Sequence, residues 1–207
     1  MNYPVMKPPF EFKDFESMNK KEAKQYFDWY LSQIPERIEI LKKVSDNQIA
    51  LDYSKESLIP LFSWFLSTVT IYRLSKEEIK ADLEDLSQYP DYVYEDEKDR
   101  LLSNPVDLKE EDYALAKDIA IYYGETLIKN YPQVHWTYLT KPKSYVFLNE
   151  PILKISNGEG FLERNPEEML RVLIQLIKRD EIEDKTLYEM FLMDVSDILG
   201  EDEEEEE

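Results

Sequence analysis

At Pro132 the apolar pattern of this chain changes period, and that change limits the fold class. Before it, Ala116, Ile119, Ala120, Tyr123, Leu127 and Ile128 recur at helical spacing and spread over a wide arc. After it, Val134, Trp136 and Tyr138 alternate with His135, Thr137 and Leu139, the two-residue period of a half-buried strand. A second helical pattern follows from Asn165, so the stretch from Asp107 to Arg179 reads as helix, strands, helix. This predicts an α+β fold.

The punctuation of the stretch agrees. Asp107 is placed as an N-cap with Glu110 three residues on, a capping box, and Asn104-Pro105 suits the loop before it. Glu111, Asp118 and Glu125 recur every seven residues and predict a narrow solvent stripe on an otherwise covered helix. Gly124 costs that helix roughly 1 kcal/mol against alanine, which points to a close approach by a neighbouring element. Lys141-Pro142-Lys143-Ser144 predicts a turn, Tyr145 to Leu148 a second strand, Ile152 to Ile155 a third, and Asn157-Gly158 a further turn. Asn165-Pro166-Glu167-Glu168 opens the next helix with an N-cap, a proline at the first position and acids at the positive end of the dipole.

Elsewhere the pattern is helical. Pro4, Pro8 and Pro9 with Phe10, Phe12 and Phe15 predict an extended arm packed on the body. A helix carries Ala23, Tyr26, Phe27 and Tyr30, and Pro35 is expected to restart another with Ile38, Leu41 and Val44 inside. Ser54 is a candidate cap for the next helix, a nearly all-apolar core helix with Phe62, Trp64, Phe65 and Leu66; Pro60 falls within it, which leaves its start open or kinks it. Ser75 and Glu78 form a second capping box. Residues 88–103 mix tyrosines with acids and are expected to be a long loop or an insertion. The last helix runs from about Asp184 to Leu199 and stops at Gly200. The expected fold is helix-rich α+β, with about seven helices and a small, mainly antiparallel three-stranded sheet. Residues 1–200 are expected to form a single domain with a soft subdivision near 88–106, and residues 201–207, all acidic, are expected to form a disordered tail.

The order Tyr123-Gly124-Glu125 at a helix end, Trp136 in a strand and a strand opening at Pro151-Ile152-Leu153 resembles a helix, Gly-Glu, Trp-strand module. That module recurs in small bacterial cytoplasmic proteins, some of them regarded as immunity proteins of toxin systems. The resemblance covers about Asp118 to Ile155. It implies a bacterial origin and a non-enzymatic protein, and it carries no functional residue.

Charge narrows the partners. The formal net charge is −20, and removing the seven tail acids leaves −13 on the body. A surface this negative repels nucleic-acid phosphates and anionic membranes; it favours a basic protein partner or metal cations, or serves solubility alone. No cysteine is present, so disulfides, thiolate catalysis and Cys-ligated metal are excluded. The first residues lack a basic segment followed by an apolar core, and no apolar run approaches ~20 residues, so a cytoplasmic location is expected.

Catalytic signals are sparse. His135 is the only histidine, which removes any two-histidine metal site and leaves a general base or a surface residue. No phosphate-binding glycine loop or nucleophile elbow occurs, and no cofactor is implied. Asp91, Glu95, Asp96, Glu97 and Asp99 lack the calcium-loop spacing and its central glycine. Glu111, Asp118 and Glu125 fall roughly 10.5 Å apart along a helix, too far for a cooperating pair. Tyr92, Tyr94, Glu95, Asp96, Glu97 and Asp99 have instead the composition of a partner-binding surface, because tyrosine supplies rigid contact area and acids steer a basic partner. Tyr113 shares that setting. The leading expectation is a non-enzymatic acidic protein-binding module, in its fullest form an immunity protein inhibiting a basic toxin. The alternatives are a carboxylate-based metal-binding protein or hydrolase, and a structural module of an oligomer.

Overall fold

In a computed structural model the described residues are 2–45, 48–156 and 160–200. They form seven α-helices, a three-stranded antiparallel sheet and a separate two-stranded ladder. The fold is α+β, as the period change predicts. The Asn157-Gly158 turn and the acidic tail of residues 201–207 lie outside the described residues.

The first helix, α1 (Lys20–Val44), begins on an Asn19/Glu22 capping box and runs unbroken through Pro35. The expected restart does not occur. Ala23, Tyr26, Tyr30, Ile34, Ile38 and Leu41 keep three- and four-residue spacing across the proline and are all buried. A continuous buried face outweighs the roughly 3 kcal/mol that an interior proline costs. Next comes α2 (Leu58–Thr68), with Pro60 in its first turn, where the missing N–H has no helical partner to lose.

Strand β1 (Ile71–Arg73), helix α3 (Lys76–Leu86), helix α4 (Asp91–Ser103) and strand β2 (Val106–Leu108) form one excursion. β1 and β2 pair antiparallel, Ile71 opposite Leu108 and Arg73 opposite Val106, and close its base. The Ser75/Glu78 capping box opens α3 as expected. Residues 91–103 are a helix and not the expected loop. Val93, Tyr94 and Leu101 are half-buried while Tyr92 and Leu102 stay exposed, and ion pairs three and four residues apart reinforce the turn structure. Neither α3 nor α4 contains a buried residue.

The centre of the molecule is α5 (Glu110–Asn130), against which α1, α2, α6 and the sheet pack. Lys109, not Asp107, is its N-cap. Asp107 is held in β2, where its carboxylate accepts from Tyr113 Oη at 2.6 Å and Lys178 Nζ at 3.1 Å. The sheet has the order β3 (Val134–Thr137), β4 (Ile152–Ile155), β5 (Glu163–Arg164), with Trp136 opposite Leu153. The expected strand at Tyr145 to Leu148 is a series of turns. They end at Asn149, which has φ 66° and donates through its side chain to the Phe15 carbonyl at 2.6 Å. β5 takes the third place instead. Helix α6 (Pro166–Lys178) starts on Asn165, whose side chain accepts from the Glu167 and Glu168 N–H groups. Helix α7 (Thr186–Leu199) ends at Gly200 in the left-handed region, where glycine carries no steric penalty.

The proline-rich arm packs on the body as expected. Tyr3 is 2% exposed, Phe10 meets Trp29 edge-on and Phe15 meets Tyr26 the same way.

Candidate functional site

The heptad carboxylates of α5 do not make a solvent stripe. Asp118 is fully buried, accepts from Arg37 Nε at 2.8 and 3.1 Å and accepts from the Tyr3 hydroxyl. Arg37 spends its other end on the Pro4 carbonyl at 2.7 Å. Glu125 accepts the Trp136 indole N–H at 2.8 Å. A second buried carboxylate repeats the scheme: Asp194 on α7 accepts from Tyr123 Oη at 2.7 Å and from Arg164. Burial pushes both the Asp118 and the Asp194 carboxyl above the usual carboxylate range, against the pull of their arginines. Burial, with the neighbouring carboxylate, also pushes the Tyr3 and Tyr123 hydroxyls up, so both stay protonated donors. Asp118 and Asp194 hold the arm, the sheet and α7 onto α5.

His135 is exposed on β3, and its Nδ1 lies 2.9 Å from Ser156 Oγ. Among the described residues no carboxylate orients the other ring nitrogen, so the pair lacks the third member of a catalytic triad. Among the described residues no group of three or more His, Asp or Glu side chains could hold a metal ion.

The six residues singled out on α4 divide by helical geometry. Tyr92, Glu95, Asp96 and Asp99 stand three and four residues apart and are all exposed, Tyr92 by 78%. They share the outward face, which ends at Leu102, 51% exposed. Tyr94 and Glu97 are half-buried and leave that face. Tyr94 receives Lys98 Nζ 5.2 Å above its ring. Local ion pairs partly neutralise the acids: Glu95 with Lys98 at 3.3 Å, and Asp96 and Glu97 each with Arg100 at 2.7 Å. Between Ser75 and Asn104, ten acids still face four bases, a net −6. Tyr113 does not join them, since its hydroxyl turns inward to Asp107.

A cleft of about 380 Å³ lies at the root of this hairpin, between α3, α4 and the end of α6. Asp82, Asp85 and Tyr89 border it from the α3 side, and Lys178 and Arg179 from α6. The Asn104 side chain bridges to the Lys178 carbonyl at 2.8 Å and ties the root to the body. Burial, then the charge of Asp107, pushes the Asp82 carboxyl above the usual range, with Lys178 pulling it back. Reading the sequence missed this cleft. Asp82, Asp85, Leu86 and Tyr89 carry a one-face spacing that could have flagged one wall, but nothing local ties that wall to Arg179, about ninety positions on.

Among the described residues no helix is long and apolar enough to cross a membrane. No family model matches this chain, and no curated protein or solved structure matches it.

Proposed function

We propose that the chain is a non-enzymatic protein-binding module that holds a basic partner on the outward face of α4, and that its fullest form is an immunity protein occluding a basic toxin. The observation that carries this reading is the stripe Tyr92, Glu95, Asp96, Asp99 and Leu102 on a helix with no buried residue. A helix that contributes no core residue leaves its whole outward face available to a partner. Exposed acids steer a basic protein into encounter, and the flanking Tyr92 and Leu102 supply contact area that can be desolvated. The buried carboxylates support the same reading from the other side, because each is already satisfied by an arginine and a tyrosine.

The test begins with capture from native lysate at low salt, with the neighbouring genes read alongside. Affinity for the captured basic protein is then measured against salt and against Glu95→Lys/Asp99→Lys. Surface charge is screened over about 8 Å at physiological ionic strength. The expected result is binding that weakens steeply with salt and at least about tenfold in the variant, mainly through the association rate. An affinity indifferent to both would overturn the proposal.

A further inference from the structure

Three charged groups at the hairpin root are not used by the fold. Lys178 is occupied by Asp107, and Arg100 by Asp96 and Glu97. Among the described residues, Asp82 and Asp85 on α3 and Arg179 just past α6 form no ion pair. All three border one cleft of about 380 Å³, near the small end of the range for ligand pockets. Leu86, Leu101 and Tyr89 border the same cleft. The cleft therefore offers carboxylates from one element, a guanidinium from another, and apolar surface in the space they share.

Net charge then selects among ligands. A small anion meets the field of a body carrying −13. A small cation is attracted to the whole surface and has no reason to prefer a cleft that also holds Arg179. A zwitterion feels little net field and gains at both walls at once. We propose that this cleft is a binding site for a small amino acid with an aliphatic side chain, its ammonium at Asp82 and Asp85, its carboxylate at Arg179, and its side chain against Leu86, Leu101 and Tyr89. The site is independent of the outward face of α4 and stands whether or not that face binds a protein.

Calorimetric titration of the full chain with three matched probes tests this. L-leucine carries both charges, 3-methylbutylamine only the ammonium, and 4-methylpentanoate only the carboxylate. Saturable binding of one leucine per chain is expected, with each single-charge analogue at least tenfold weaker. Asp85→Asn and Arg179→Gln, both exposed, are each expected to weaken leucine about tenfold while the unfolding midpoint stays in place. Absence of saturable leucine binding by ~10 mM overturns the proposal. So does an analogue that binds as tightly as leucine, or leucine affinity unchanged in both variants.

Discussion

The indole of Trp136 occupies the space that a side chain at position 124 would need. A Cβ built on Gly124 would lie 2.5 Å from Trp136 Cζ2 and 2.8 Å from Cη2, distances that van der Waals contact forbids. Glu125, next along α5, fixes the same ring by accepting its N–H. Gly124→Ala gains up to about 1 kcal/mol of helix propensity but forces the ring or the helix to move, a cost of about 1–3 kcal/mol for overpacking. The expected net result is lower stability in urea with a red-shifted tryptophan emission. A variant more stable than the parent would show that the ring yields freely.

Arg37 and Asp118 form a closed pair, 6% and 0% exposed at their side chains, with Tyr3 as third member. Arg37→Ala leaves a buried carboxylate without its countercharge and is expected to cost about 3–5 kcal/mol. The triple change Tyr3→Phe, Arg37→Met, Asp118→Leu removes the three polar side chains at similar volume and leaves the Pro4 carbonyl, on an exposed residue, to water. Chemical denaturation of both variants decides the point. The triple variant should recover most of the loss, and a triple variant as weak as Arg37→Ala would mean the network does more than offset its own desolvation.

The legible parts of this fold are those whose signal is local. Ser75 and Asn165 each cap a helix by a side-chain bond to a backbone N–H two or three residues away, and Gly200 stops one within a residue. What could not be read depends on distant partners. Asp107 has the residue type and spacing of an N-cap, yet Tyr113 and Lys178 claim its carboxylate and β1 claims its backbone. Asp118 has the heptad spacing of a solvent stripe, and only Arg37 and Tyr3, 81 and 115 positions away, make its burial tolerable. The helix α4 was hidden by its own exposure, since a helix that buries nothing shows almost no apolar period. That same property left the six partner-binding candidates identifiable as a composition but not as a face.

The hairpin is expected to be dispensable for folding. The Leu74 N–H already donates to the Pro105 carbonyl at 2.9 Å, so the two chain ends are in ladder register without α3 and α4. Replacing residues 75–104 by Asn-Gly supplies a turn suited to such a ladder. The Asn104 bridge to α6 is lost, worth about 1 kcal/mol. The shortened chain should unfold cooperatively with a midpoint close to that of the parent and should no longer bind the basic partner. A chain that loses its cooperative transition would show that the core requires the hairpin.

Stability should peak on the acid side of neutrality. The Asp118, Asp194 and Glu150 carboxyls are all raised, first by burial. A raised carboxyl binds its proton more tightly folded than unfolded, so its effect on stability is lost as pH rises through the folded value and returns on acidification. Acidification also removes part of the −20 net charge, easing self-repulsion. The opposite sign belongs to Glu22, lowered by Lys13 and then the Asn19 N–H, and to Glu78, lowered by the Ser75 side chain and then its N–H. Their contribution is present above the ordinary glutamate range and is lost as pH falls through the depressed values. The urea midpoint should therefore hold or rise from pH ~7 to ~5 and drop below ~4. A midpoint falling steadily from neutrality would mean that the arginines, and not burial, set the titration of Asp118 and Asp194.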